Sequence, residues 1–207
     1  MATKKKTYRA AQRDKEATQQ LRGQYQKETN SLSKNRLVFI DEAGCQLGMD
    51  RRYARAPVGE RAHCLRPFYH GDQVNLIGAI GLKAVRCMMT LEGNIDGLAF
   101  EMFAKDFLGP QLRSGDVVIW DRLPAHRMES VRTIIEATGA RVLLLPPYSP
   151  DLNPIELMWS KLKEIIRGFA PKTIRAFYKA LNVALSRITS SDLHGWFRHC
   201  GYLAQTA

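Results

Sequence analysis

The chain has 207 residues, 45% apolar and 25% charged, the proportions of a folded protein with one substantial core. Its formal charge is +11, and no apolar run approaches the ~20 residues of a membrane-spanning helix. Met1-Ala2-Thr3-Lys4-Lys5-Lys6 lacks the apolar segment of a secretory signal, so a cytoplasmic or, in a eukaryote, nuclear location is expected and a membrane partner is not.

The charge is concentrated at the start. Residues 1–36 hold ten Lys and Arg against three Asp and Glu. Residues 1–35 are expected to form a basic arm or linker that suits a polyanion, most naturally nucleic acid. Lys4, Lys5, Lys6, Arg9 and Arg13 lead the DNA-contact candidates; a solvated tail is the equal alternative. Residues 9–29 have a thin apolar stripe (Ala10, Ala17, Leu21, Tyr25), which predicts a helix that leans on the body or frays.

Residues 36–207 read as one catalytic-sized domain. Leu37–Ile40 is a continuous apolar run, the pattern of a short buried strand. Glycines and prolines at 44, 48, 57, 59 and 71 then punctuate short strand-like pieces before Val74–Ile80 and Val85–Leu91, an antiparallel meander. A helix is expected from Leu98 through Phe107, stopping near Gly109-Pro110. Strand 117–120, helix 127–138, strand 141–145 and a helix from Pro154 follow, with two further helices at 172–188 and 191–199. Three antiparallel strands followed by helix–strand–helix–strand–helix is the order of an α/β, ribonuclease H-like fold. Its mixed five-stranded sheet would be flanked by helices, with extra helices at the C-terminus.

Three acids stand out in this order. Asp41 ends the first apolar run, Asp121 ends Val117-Val118-Ile119-Trp120, and Glu156 opens the helix after Asn153-Pro154. Acids at two strand ends and on a nearby helix can face one small volume, where their mutual repulsion calls for a cation. Mg²⁺ fits, since it takes a few carboxylate oxygens and keeps positions open for water and phosphate. Each acid also has a plain structural explanation. Asp favours turns after strands, and Asn153, Pro154 and Glu156 match the N-cap, first position and closing residue of a capping box. Asp151 is a rival third carboxylate. The four cysteines, at 45, 64, 87 and 200, lack C-x-x-C spacing; they read as reduced thiols, and His63-Cys64 and His199-Cys200 give little support to zinc. On the last long helix Glu156, Ser160, Lys163 and Arg167 share a face, a basic track that would suit phosphate contacts.

Leu37-Val38-Phe39-Ile40-Asp41-Glu42-Ala43-Gly44, the stretch from Val118 to His126, and Leu145-Pro146-Pro147-Tyr148-Ser149-Pro150-Asp151-Leu152-Asn153-Pro154-Ile155-Glu156 together resemble the DDE catalytic domain of mariner-like transposases, most nearly the bacterial insertion-sequence branch. The 34 residues between Asp121 and Glu156 agree with that group. The resemblance runs from about residue 35 to Gly201-Tyr202. It implies Asp41, Asp121 and Glu156 as the metal-binding triad, Mg²⁺ as cofactor with Mn²⁺ as a substitute, and cutting of DNA at transposable-element ends followed by joining to target DNA. It implies a homodimer in the active complex and a nucleoid-associated protein. Arg122 stands where the family usually has Asn, and is a candidate DNA contact; His126 matches a family histidine that approaches phosphate or merely starts the next helix. The family's end-reading helix-turn-helix region has no room before the first strand. A truncated chain, or the second frame of a split gene with that segment encoded upstream, is expected. Two other readings stay open: a non-catalytic DNA-binding remnant or inhibitor, and a ribonuclease H-like nuclease without strand transfer.

Overall fold

The computed structural model describes residues 11–51, 53–63, 72–121 and 125–204, with the side chains at 11, 12 and 125–128 outside it. Lys4, Lys5, Lys6, Arg9, Cys64, Arg122 and the His126 side chain therefore lie outside the described residues. Helix α1 (Glu16–Ser31) leads into β1 (Leu37–Gln46), β2 (Gln73–Gly81) and β3 (Val85–Glu92). Helix α2 (Gly97–Met102), β4 (Val117–Trp120), α3 (Ala125–Glu136) and β5 (Arg141–Leu144) follow, then α4 (Pro154–Phe169), α5 (Ile174–Ser186) and α6 (Ser190–His199).

These strands form one five-stranded sheet in the order β3-β2-β1-β4-β5. The first three are antiparallel, and β4 and β5 run parallel to β1, so the mixed sheet expected from the alternation of elements is the one observed. Helices cover both faces, as parallel strands with crossover helices demand. On one face Leu37, Phe39, Val117 and Ile119 pack with Ile155, Met158 and Leu162 of α4, Phe177 of α5 and Phe197 of α6. On the other, Val38, Ile40, Val118 and Trp120 meet Phe100, Phe103 and Leu108, together with Val131 and Ile135 of α3.

Two elements differ from the sequence reading. Strand β1 continues six residues past Ile40, because Ala43 and Cys45 are buried while Glu42, Gly44 and Gln46 face out, a period-two pattern paired along β2 as far as Gln46↔Gln73. Asp41 thus lies within a strand rather than at its end. The described residues of the connection after it, 47–51 and 53–63, contain no strand. The second difference is in the helix after residue 97. Its hydrogen bonding widens to a π turn over Phe103–Leu108, burying Phe103, Ala104 and Leu108 together, before Gly109-Pro110 ends it.

Helix α1 is pinned rather than frayed. Tyr25 is buried in the same cluster as α4–α6, and its hydroxyl meets that of Tyr202 at 2.7 Å. Tyr202 in turn donates to the Leu152 carbonyl at 2.6 Å, so α1 and the chain end after α6 both grip the loop that precedes α4. Arg22, also buried, donates to Ser149 Oγ at 2.5 Å and to both carboxylate oxygens of Asp151 at 3.2 and 2.8 Å. Arg22→Met is expected to cost about 1–3 kcal/mol by leaving these acceptors short of a donor, read as a lower urea midpoint with an unchanged slope.

Candidate metal-binding active site

The three acids meet at the edge where β4 ends. Asp41 is paired across β1 and β2 with Gly78, and β1 pairs with β4 as Phe39↔Ile119; continuing that parallel register sets Asp41 beside Asp121. Alternation puts both on the α4 face, since Phe39 and Ile119 belong to the α4 core. Leu145 N–H bonds the Trp120 carbonyl at 2.9 Å, so the loop carrying Ser149 to Asn153 starts directly beside Asp121. That loop delivers Glu156 in the first turn of α4.

The capping box expected at Asn153 does not form. Asn153 occupies the N-cap position, but its side chain caps nothing and its Oδ1 is buried without a partner. The first turn is closed instead through the backbone, with Glu156 N–H bonding the Asn153 carbonyl at 3.2 Å. Glu156 is consequently not engaged in holding its own helix. Its carboxylate is electrostatically coupled to Asp41, to Asp121 and to Lys163.

Asp41 is held by a neighbour that sequence reasoning missed. Trp159 Nε1 donates to Asp41 Oδ2 at 3.1 Å, fixing one oxygen of the carboxylate. The indole fits because position 78 is glycine: a Cβ there would stand 2.7 Å from Trp159 Cη2 and 3.1 Å from Cζ2. An isolated glycine inside Val74–Ile80 was the available signal, as glycine within a strand marks close approach of another group.

Burial first, and the Glu156 charge second, push Asp41 up to about 7, against hydrogen bonds from the Glu42 N–H and Trp159. Partial desolvation also raises Glu156, with the Lys163 charge opposing and Asp121 adding to the rise. Because the folded pKa of Asp41 lies above its unfolded value near 4, the folded state binds an extra proton between them. The metal-free protein is therefore expected to gain stability as pH falls from about 7 towards 4, by at most about 4 kcal/mol. Urea midpoints at pH 5 and 8 in chelator should show this, and Asp41→Asn should flatten the difference.

Among the described residues, no group of three His, Cys, Asp or Glu side chains already forms a metal cage. The donor chemistry nevertheless fits a hard divalent cation. The Glu156 charge raises the proton affinity of Asp41 and the Asp121 charge that of Glu156, and a small cation would relieve that repulsion while waters complete its shell. The other candidates are placed differently. Lys163 and Arg167 are half-buried on α4, with Lys163 close enough to act on Glu156. Arg13 and Arg22 of the N-terminal arm are both ion-paired to Asp151, at 2.9 and 2.8 Å. Burial alone would raise Asp151, but the bonds and charges of these arginines outweigh it and hold its carboxyl below the usual range. Tyr148 takes a left-handed backbone (φ 55°) and is half exposed. Cys45 and Cys200 are buried, Cys87 is half-buried, and all three are free thiols raised by burial, with Cys87 and Cys200 pushed up to about 12.

The chain and its fold have counterparts among known proteins. The Caenorhabditis elegans protein "Transposable element Tc1 transposase" is 26% identical over 167 residues, covering 76% of this chain and 61% of the relative. Caenorhabditis briggsae "Transposable element Tcb2 transposase" is 28% identical over 141 residues, covering 63% and 52%. The chain thus spans roughly half to three fifths of the curated relatives it matches. Among solved structures, a pre-cleavage Mos1 transpososome superposes with a TM-score of 0.70 at 14% identity, covering 97% of this chain and 64% of that one. The isolated catalytic domain of Mos1 mariner transposase gives 0.57 at 16% identity, covering 88% and 84%. At such identities the structural likeness is one of fold, and it agrees with the ribonuclease H-like sheet. The model of the family described as DDE superfamily endonuclease matches residues 36–176, all five strands of the sheet and all three acids, and the chain belongs to that family.

Proposed function

We propose that this chain is the catalytic portion of a DDE transposase that cuts DNA at transposable-element ends and joins the freed 3′-hydroxyl to target DNA. The observation that carries the reading is the convergence of Asp41, Asp121 and Glu156 on one face of the sheet with Glu156 electrostatically coupled to both aspartates. Mos1 relatives solved as paired-end complexes with Mn and with Mg support a divalent cation here. When bound, Mg²⁺ or Mn²⁺ supplies activation of the attacking oxygen and charge stabilisation of the departing one.

The chain's own groups do the rest. Trp159 fixes one oxygen of Asp41, and the lone pairs its hydrogen bonds leave would ligate. Asp41 must lose its proton to do so, so cation affinity should rise with pH up to about 7. Exposed Asp121 and Glu156 open the site to a DNA backbone, and Lys163 and Arg167 continue from it along α4 as phosphate contacts. Water adds to phosphorus as the P–O3′ bond breaks, freeing the element's 3′-hydroxyl. That hydroxyl then attacks a target phosphate, and another P–O3′ bond leaves.

The finer assignments belong to the same proposal. The string from Pro146 to Glu156 and the 34-residue spacing support the bacterial insertion-sequence branch, and with it a nucleoid location. The basic arm, Arg122 and His126 would add DNA contacts, and a homodimer with a helix-turn-helix segment encoded upstream would supply the end-reading function. Incubation with Mn²⁺, a duplex carrying the element's end and a supercoiled plasmid tests the reading. Nicked end plus joined product supports it; nicking without joining makes the chain a nuclease, and neither product makes it a non-catalytic remnant.

A further inference from the structure

At the far end of α4 from Glu156 a cavity of about 780 Å³ opens beside Arg51, Arg167 and Arg187, with Tyr53 and Phe169 on its walls. None of the three arginines is within ion-pair distance of a carboxylate among the described residues, although Glu164 lines the same space. Tyr53 is 80% and Phe169 50% exposed, a large apolar cost unless something covers them.

The cavity is preformed by backbone. Gly48, at φ 78°, donates its N–H to the Pro171 carbonyl at 2.8 Å, tying the segment that leads to Arg51 and Tyr53 against the end of α4. Ala170 turns the chain there in a left-handed conformation at φ 43°, costly for a residue with a Cβ. Gly168 has no side chain where the Arg51 guanidinium lies: its Nη2 and Nε are 3.6 and 3.7 Å from the position a Cβ would occupy. Arg51 is therefore laid against the helix and aimed at the same space as Arg167.

Free guanidinium groups hold phosphate, and exposed aromatic rings stack on bases. A paired base inside a duplex has both faces covered by its neighbours and cannot stack on these rings; an unpaired one can. Arg167 follows Glu156 by eleven residues on the same helix face, about 16 Å at 1.5 Å per residue. That is roughly five steps of a strand at ~3.4 Å each. Resting on the reading that DNA crosses the carboxylate site, we propose that this cavity takes an unpaired nucleotide of the same strand, about five positions from the cut, with its phosphate on the arginines and its base on Tyr53 or Phe169.

The test is fluorescence anisotropy in EDTA with three probes: a blunt 20-base-pair duplex, the same duplex with a six-nucleotide tail at either the 5′ or the 3′ end, and that tailed duplex with abasic tail positions. One tailed form should bind about tenfold tighter than the blunt duplex, and the abasic tail should lose most of the gain. The paired substitution Tyr53→Ala with Arg187→Ala should remove the tail's advantage and leave blunt-duplex affinity within twofold. Equal affinity for tailed and blunt DNA in the unaltered chain overturns the proposal. So does an equal loss on both probes in the variant, which would make the cavity part of a duplex track. Because binding is read without metal, a chain that prefers the tail but never nicks DNA would sink the cleavage reading and leave this one standing.

Discussion

Asp41→Asn and Glu156→Gln are each expected to lower Mn²⁺- or Mg²⁺-dependent nicking by roughly 10³-fold, the order of several kcal/mol of lost charge stabilisation. Circular dichroism should be unchanged, because neither carboxylate holds the core together. Asp41→Asn should unfold at higher urea than the parent at pH 8 in chelator, since it removes a charge that burial and Glu156 disfavour. Activity and stability then move in opposite directions, the signature of a site that costs the fold something. Asp151→Asn separates the rival third ligand: this carboxylate is committed to Arg13 and Arg22, so its loss should weaken the α1 anchor while retaining nicking. A nicking Glu156→Gln beside a dead Asp151→Asn would show that the third ligand is misassigned.

Gly78→Ala carries the second large effect, although residue 78 has no side chain to contribute. The added Cβ would sit 2.7 Å from the buried Trp159 ring, which can only tilt or shift. Overpacking of this kind costs about 1–3 kcal/mol. The indole that steadies Asp41 moves with it, and a displacement near 1 Å at a reacting site costs on the order of 10²-fold in rate. Adding Trp159→Phe, which removes the far ring, should restore the urea midpoint but not nicking, because Asp41 still lacks its donor. Full recovery of nicking in the double variant would show that Trp159 does not position Asp41.

What was legible in the chain and what was not divides along physical lines. Apolar runs at 37–40, 74–80, 85–91 and 117–120 and the switch to helical spacing after 97 were enough for a mixed sheet that begins as an antiparallel meander, because period and burial are local signals. The continuation of β1 past Asp41 was hidden by Glu42 and Gly44, which break an apolar run yet suit an alternating strand. Asn153 was misread for the opposite reason: its identity matched a cap, but the tight turn from Ser149 leaves its oxygen buried and unbonded. Arg22 with Asp151, and Gly78 with Trp159, are pairings between distant parts of the chain, and no local pattern reports a partner 129 residues away.

The strained loop before Glu156 makes sense in the same terms. Tyr148 holds a left-handed backbone that a bulky residue disfavours, so its surroundings must impose it. Ser149 Oγ donates to the Pro147 carbonyl across that residue and accepts from Arg22, and Tyr202 holds Leu152 two residues before the helix. The third acid is thus aimed by groups that never touch it, and α1 reaches the carboxylate edge through Arg22.

Asp41, Asp121 and Glu156 are expected to bind one set of divalent ions. Fe²⁺ with ascorbate and peroxide, used in place of Mg²⁺, cuts a polypeptide beside the residues that hold the iron. Cleavage next to residues 41, 121 and 156 is expected, suppressed by excess Mg²⁺ and lost in Asp41→Asn. Cleavage elsewhere, or none that Mg²⁺ suppresses, would contradict it.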